Sequence, residues 1–240
     1  MIGVSINALG IIVGGIAGLT RKKPLTAQSE SFFKVAMGAA AVFLGLQLTW
    51  KNLNGSFGIF MKQLLIVLVA MSVGKLVGKL LHLQKLSNAI GKYATSRMSA
   101  ARSGPKNFND GLVVCALLAC ANPLGIFAGV EEGLSAYLFA PPFVIKALMD
   151  GLAAMTFVSF FGRGVLLSVI PVVAFQGTVF FAVRAALPFL KDRGLVDSIL
   201  ATDGLLIFCV ALIILNLKKI ELADYIPSLA IAPLLTWFWK

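Results

Sequence analysis

One acidic residue interrupts the apolar run at 143–161: Asp150 stands between Met149 and Gly151. If that run crosses a membrane, an ionised side chain inside it costs about 2.5–3.5 kcal/mol on insertion scales, so it normally faces the protein interior or water. Two interpretations follow. Asp150 binds an ion or a polar solute, or it forms an ion pair with Lys146, four residues earlier on the same helix face, whose ammonium group can also extend outward.

A proline interrupts a second apolar run, at 111–130. Pro123 has no N–H, so it leaves the backbone carbonyl four residues earlier without its helical donor, and the neighbouring Asn122 and Gly125 add polarity and close approach. Transporters expose backbone dipoles to a solute through helices broken in this way. A plain proline kink without any ligand is the alternative interpretation.

Five further polar residues lie in or beside apolar runs. Glu131 and Glu132 are adjacent carboxylates, which either serve a proton or cation or lie exposed in an outer loop. Gln176 and Asn7 are either solute ligands or hydrogen-bonding groups between helices, since amides commonly join membrane helices. Asp203 precedes Gly204 and either belongs to the same pathway or caps a helix near its N-terminus.

Composition defines the class of protein. Hydrophobic residues make up 59% of the 240 residues and charged residues only 13%, and the mean hydropathy is +0.93. Soluble domains carry about 25% charged residues, so the composition excludes a disordered chain, a coiled coil and nearly every soluble globular fold. The net charge of +11 comes from basic residues in loops between apolar blocks, where such residues set membrane orientation. We therefore expect an all-α, polytopic membrane protein with the lipid bilayer as its surroundings and no nucleic-acid partner.

The sequence carries no recognisable signature of enzyme or metal chemistry. Cys115, Cys120 and Cys209 lie in apolar stretches and are typical of small hydrophobic residues, while His82 has no Cys, Asp or Glu at ligand spacing. We find no Ser/His/Asp set, phosphate-binding loop or zinc motif. The expectation is a protein that is not an enzyme and has no cofactor and no metal site.

Eight segments satisfy the length that a bilayer demands, about 17–25 residues of helix. They are 3–19, 32–50, 60–81, 111–130, 143–161, 165–187, 198–215 and 222–239. Seven spans remain possible: only Gly162-Arg163-Gly164 separates the fifth and sixth segments, and the short eighth segment contains Pro227 and Pro233 and is either re-entrant or kinked.

The distribution of basic residues predicts the orientation. Loops rich in Lys and Arg stay cytoplasmic, and here they follow the first, third, fifth and seventh segments. The N-terminus is then outside; eight spans place the C-terminus outside too, and an odd number places it inside. Within these loops, 84–109 is a basic cytoplasmic linker, either an amphipathic helix on anionic lipid or a solvated extension of the third helix.

The order of segments suggests an inverted-topology repeat. Gly3-Val4 opens the first segment and Gly164-Val165 the sixth, and these two segments cross in opposite directions. The predicted division is a first three-helix repeat at 1–83, the linker at 84–109, a two-helix insert at 110–162, and an inverted three-helix repeat at 163–240. Weak similarity between any two apolar helices is the competing explanation.

A glycine stripe on the first segment predicts a close helix contact. Gly10, Gly14 and Gly18 recur every four residues, which admits a second backbone closely. We expect a homo-oligomer built on such glycine faces, although the second helix can equally belong to the same chain.

The ordered motifs resemble the bacterial membrane-protein family known as domain of unknown function 554, which includes YqgA/YdfK-like proteins. The resemblance covers nearly the whole chain and rests on Gly3 with Asn7-Ala8-Leu9 and Gly14-Gly15, Cys120, Glu131-Glu132-Gly133-Leu134, Met149-Asp150-Gly151, Gly164-Val165 with Gln176-Gly177, and the stretch from Lys218 to Pro227. It implies a polytopic inner-membrane protein, in a family some of whose members are described as transporters, with no assigned substrate. Asn122 and Glu132 depart from the expected small residue and aspartate.

These observations lead to two functional hypotheses. The first is a transporter or channel for an ion or small polar solute, with Asp150, Asn122 and Gln176 converging on one cavity and Glu131, Glu132, Asn7 and Asp203 along the pathway. The second is a non-transporting membrane scaffold or partner-binding subunit that uses the basic linker.

Overall fold

The structure, a computed structural model, describes residues 1–21, 25–53, 55–103, 107–135, 140–192 and 195–239. Every regular element in these ranges is helical, which confirms the all-α prediction. Of the predicted basic loops, Lys22, Lys23 and Lys106 lie outside the described residues.

Eleven α-helices and one 3-10 helix make up the described part of the chain. They are α1 Ile2–Thr20, α2 Ala27–Asn52, α3 Phe57–Leu80, α4 Leu83–Ser103, α5 Phe108–Ala121, α6 Pro123–Leu134, α7 Pro142–Phe161, α8 Gly164–Leu167, α9 Val169–Asp192, α10 Val196–Ile214, the 3-10 helix Leu222–Tyr225 and α11 Ser228–Phe238.

Six of these helical stretches in the described residues are long and apolar enough to cross a membrane, with α8 and α9 counted together as Gly164–Leu190. α5 and α6 add a seventh crossing if they are counted as one span, which is bent by 59°. The predicted eighth span corresponds to a shorter apolar helical stretch, Leu222–Phe238, and the count of eight stays a prediction. Pro227 separates the 3-10 helix from α11, whose 11 residues rise only about 16 Å against a bilayer core of about 30 Å.

Two helix pairs run in parallel. Gly10 of α1 faces Ala147 of α7, and further along both helices Gly18 faces Met155. α6 packs along α9 in the same way. α1 and α9 are thus each accompanied by one helix of the predicted two-helix insert.

Two other pairs run antiparallel. Gly45 of α2 lies against Gly204 of α10, whereas Gly38, nearer the start of α2, lies against Leu215 at the end of α10. α3 packs antiparallel against the 3-10 helix and α11. At the crossing of α2 and α10, a side-chain carbon on either glycine would meet the other backbone at 2.6 Å, so only glycine permits this approach.

α10 forms the centre of the bundle. Of its most apolar 18 residues, 67% are buried, against at most 44% in the corresponding parts of the other five long stretches. Its apolar side chains form the largest buried cluster with residues of α2, α6, the 3-10 helix and α11. The outward faces of α1, α2 and α3 are apolar and exposed, as expected of helices that face lipid.

The predicted linker contains a helix of its own, α4. The chain breaks from α3 at His82, whose φ of 58° lies in the left-handed region. The N–H of Gln84 then donates to Asp224 Oδ1 at 2.8 Å, and the Gln84 side chain accepts from the N–H of Ala223 at 3.1 Å. Ala94 is buried against Val114 of α5. α4 is therefore a packed helix tied to the 3-10 helix rather than a solvated continuation of α3.

Candidate functional site

A proline break separates α5 from α6. Asn122 caps α6 by accepting a hydrogen bond from the N–H of Leu124 at 3.1 Å, and Pro123 occupies the first helical position, where its missing N–H is tolerated. The carbonyl of Ala119, four residues before Pro123, loses its helical donor for the same reason. The break thus leaves one backbone acceptor inside the bundle.

The side chain of Lys146 donates a hydrogen bond to that acceptor. Its Nζ donates to the carbonyl oxygen of Ala119 at 3.0 Å and to Asp150 Oδ2 on the next turn of α7. Lys146 is 0% exposed and Asp150 is 7% exposed. The ion pair foreseen as an alternative from the sequence is present, and its ammonium group points into the bundle instead of extending outward.

Two amides extend this cluster to α1 and α9. Asn7 Nδ2 donates to Asp150 Oδ2 at 3.0 Å and to Gln176 Oε1 at 3.2 Å, and both amide side chains are fully buried. The opposite ends of the amides, Asn7 Oδ1 and Gln176 Nε2, are buried and find no hydrogen-bond partner in the part of the chain that the structure describes. Gln176 Nε2 lies against Gly125 in the first turn of α6. A buried donor and a buried acceptor therefore remain available beside the ion pair.

A pocket of about 180 Å³ opens onto this cluster, and Asp150 and Asn122 both line it with Cys115, Ala119 and Phe157. Asp150 Oδ2 accepts the hydrogen bonds from Asn7 and Lys146.

A second pocket, of about 330 Å³, adjoins the first. Leu118, Asn122 and Met149 line both, and the larger one extends to Gln84 and Ser87 of α4. Asp150 is thus approached from the side of the molecule where α4 lies.

The structure brings four of the seven predicted pathway residues together. Asp150 and Asn122 share a pocket, while Asn7 and Gln176 bond to each other and, through Asn7, to Asp150. The three remaining acidic residues lie elsewhere, on α6 and α10.

Glu132 is buried against the start of α1. It is 3% exposed, and its Oε1 accepts from the N–H of Gly3 at 2.8 Å and lies 2.9 Å from the amine of Met1. The alternative in which Glu131 and Glu132 lie exposed in an outer loop is wrong, because α6 continues to Leu134 and buries both carboxylates.

Asp203 lies in the middle of α10 and does not cap it. α10 begins at Val196, seven residues earlier, so the capping alternative is wrong. Asp203 is 0% exposed, and neither carboxylate oxygen has a hydrogen-bond partner among the described residues.

The glycine stripe of α1 faces α7 of the same chain. A side-chain carbon at Gly10, Gly14 or Gly18 would meet the backbone of Ala147, Gly151 or Met155 respectively. The predicted close helix contact is present, and it is intramolecular. These three glycines therefore provide no surface for a second copy of the chain.

Two contacts were not foreseen from the sequence. The bond from Lys146 to Ala119 joins α7 to α5, although the carbonyl left by Pro123 was a visible signal. The reciprocal bonds between Gln84 and the 3-10 helix had no sequence signal beyond an acidic residue in a polar stretch.

The fold and this site define a polytopic α-helical membrane protein with a buried, hydrogen-bonded ion pair at a broken helix. The chain belongs to the family described as protein of unknown function (DUF554), whose model matches residues 2–237. That match confirms the family resemblance seen in the motifs.

Two relatives match along nearly their whole length. The uncharacterized membrane protein YdfK of Bacillus subtilis (strain 168) is 27% identical over 235 residues, which cover 97% of this chain and 94% of YdfK. The uncharacterized protein YqgA of Escherichia coli (strain K12) is 27% identical over 242 residues, covering 100% of this chain and 97% of YqgA. No solved structure matches the chain.

Proposed function

We propose that this protein carries an ion or small polar solute across the bacterial inner membrane, through the site around Asp150. The observation that supports this most is the buried pair of Lys146 and Asp150, which contacts a broken helix and borders a pocket. Buried ionisable groups inside a bundle are costly, and in membrane proteins they commonly mark ion and solute pathways. The protein performs no enzymatic chemistry in this proposal.

The pockets favour a carrier that opens on one side at a time over an open channel. From the side of α4, the two adjoining pockets lead to Asp150 past Leu118 and Met149. On the far side of Asp150, the fully buried amides of Asn7 and Gln176 close the cluster. A solute would reach Asp150 from the α4 side, and rearrangement of α1 and α9 would open the other side.

The helix pairs support an inverted repeat in the same proposal. The parallel pair of α1 and α7 corresponds to the parallel pair of α9 and α6, so exchanging α1 with α9 and α7 with α6 converts one pair into the other. The same exchange maps the antiparallel pair of α2 and α10 onto itself, with Gly45 and Gly204 at equivalent positions. With the basic loops in the cytoplasm, the N-terminus is outside and α4 is cytoplasmic. The pockets that lead to Asp150 would then open to the cytoplasm.

The scaffold hypothesis has less support. α4 packs on α5 and is bonded to the 3-10 helix, and nothing in the described residues indicates a partner for its exposed face. A second copy of this chain remains a proposed partner, but the stripe at Gly10, Gly14 and Gly18 does not support it.

Thiol access to the pockets tests this function. Leu118 lines both pockets, whereas Leu117, the preceding residue of α5, is 38% exposed on the outside. We would replace the three cysteines by alanine, introduce Leu118→Cys or Leu117→Cys, and measure flux of H⁺, Na⁺, chloride and glycerol in proteoliposomes. A charged thiol reagent should block flux in Leu118→Cys and spare Leu117→Cys. Flux of none of these probes, or equal sensitivity of both variants, would contradict the proposal.

A further inference from the structure

A second pair of acidic groups lies between α6 and α10, away from Asp150. Asp203 of α10 is fully buried with both carboxylate oxygens unpartnered, and Glu131 of α6 is 6% exposed with its Oε2 unpartnered. The two helices pack together, and the two carboxylates lie close enough for their charges to interact. Three unpartnered carboxylate oxygens therefore occupy one buried region.

The neighbouring charges do not compensate both groups. Lys51 of α2 acts electrostatically on Glu131. Glu132 is bonded to the start of α1, and Arg184 of α9 donates to the carbonyl of Gly133 at 3.5 Å. None of the described side chains donates a hydrogen bond to Asp203. The charges named here therefore leave the buried carboxylate of Asp203 without a compensating partner among the described residues.

We propose that Asp203 and Glu131 form a binding site for one monovalent cation, H⁺ or Na⁺, between α6 and α10. A carboxylate in a surrounding of low polarity is stable only when a donor or a positive charge lies against it, and here a bound cation takes that role. Carboxylate oxygens are hard ligands that suit a proton or an alkali cation. Either ion, H⁺ or Na⁺, supplies the single positive charge that this site requires.

The cation site lies on the same helix that borders the Asp150 cluster. Gly125 of α6 contacts Lys146, and Glu131 follows six residues later, which is about 9 Å along a helix. Movement of α6 would therefore affect both regions together. A role of the bound cation in driving transport at the Asp150 site rests on the proposed function, whereas binding of the cation does not.

Thermal unfolding of the purified full-length protein in detergent measures binding directly, using the fluorescence of its three tryptophans. In one series Na⁺ replaces N-methyl-D-glucamine at constant pH and ionic strength, and in the other the pH is lowered without Na⁺. A ligand at about 100 times its Kd raises the Tm of a chain of this size by about 5–10 °C. A rise with Na⁺ at constant pH identifies Na⁺, and a rise in the pH series alone identifies H⁺.

Asp203→Asn should abolish the rise, because it removes the charge and keeps the side-chain size. Glu131→Gln is the second variant, to be used if Asp203→Asn does not fold, and it should weaken the rise in Tm. Glu30→Gln, which removes an exposed acid of α2, should respond as the wild type does. No rise in the wild type in either series, or an equal rise in Asp203→Asn, would overturn the site. Either result leaves the thiol-block test of flux unaffected, so the two proposals can fail separately.

Discussion

The Nζ of Lys146 lies 3.0 Å from the carbonyl oxygen of Ala119 and replaces the helical donor that Pro123 cannot supply. The same ammonium group holds Asp150, so the break between α5 and α6 and the ion pair on α7 form one hydrogen-bonded unit. A proline kink alone requires no lysine, and an ion pair alone requires no broken helix. Their combination places a charged group, a carbonyl and a pocket together inside the bundle.

Removing the cation of this pair should destabilise the protein strongly. Lys146→Met leaves Asp150 buried without its partner and the Ala119 carbonyl without a donor, and loss of one member of a buried pair typically costs about 3–5 kcal/mol. The double variant Lys146→Met/Asp150→Leu should recover part of that loss. Denaturant unfolding in detergent measures both. A single variant as stable as the wild type would show that the pair contributes nothing to the fold.

Restoring the backbone donor should straighten the broken helix. Pro123→Ala supplies an N–H to the Ala119 carbonyl, which competes with Lys146. Opening the 59° bend would lengthen the distance between spin labels at positions 109 and 135 by about 5 Å, from the rise per residue of two helices of 14 and 12 residues. An unchanged distance would mean that packing, and not Pro123, holds the bend.

The glycine contact of α1 should affect the fold and not the mass of the particle. Gly14→Ala places a methyl group against the backbone of Gly151, and overpacking typically costs about 1–3 kcal/mol. Gly58→Ala is the matched control, since none of the described atoms lies within 4 Å of its added carbon. Unfolding and light scattering compare the two. A change of oligomer with an intact fold in Gly14→Ala would instead assign the stripe to a contact between chains.

The predicted orientation can be tested at two exposed serines. Ser56 lies between α2 and α3, and Ser99 lies on α4. We would introduce Ser56→Cys or Ser99→Cys after replacing the three native cysteines by alanine. An impermeant thiol reagent added to intact cells should label position 56 and label position 99 only after permeabilisation. The opposite pattern would invert the topology and place the pockets toward the outside.

Sequence reasoning succeeded where the signal is local. The pairing of Lys146 with Asp150 follows from i, i+4 spacing, and the break follows from Pro123, because both depend on a single stretch of chain. The helical class follows from composition. The eight-span count stays a prediction at the last segment, where Pro227 lies between the 3-10 helix and α11.

Long-range neighbours could not be predicted in the same way. Nothing in the sequence brings Asn7 to Gln176, 169 residues apart. Pro123 marks the free carbonyl of Ala119 but does not indicate that Lys146 reaches it, since both contacts depend on which helices pack. The position of Asp203 before Gly204 suggested the start of a helix. Only the bounds of α10 show that Asp203 is a buried carboxylate in the middle of a helix.

Flux through a neutralised centre is the measurement that tests the central claim most directly. Lys146→Gln/Asp150→Asn removes both charges together, so no buried charge is left unpaired, and both new side chains can still form hydrogen bonds. We would reconstitute this variant, the wild type and the exposed-acid control Glu30→Gln at equal density, after confirming matched insertion and unfolding. We predict that the double variant loses the flux that the wild type and the control retain. Wild-type flux in a well-folded double variant would contradict the role of Asp150 in transport.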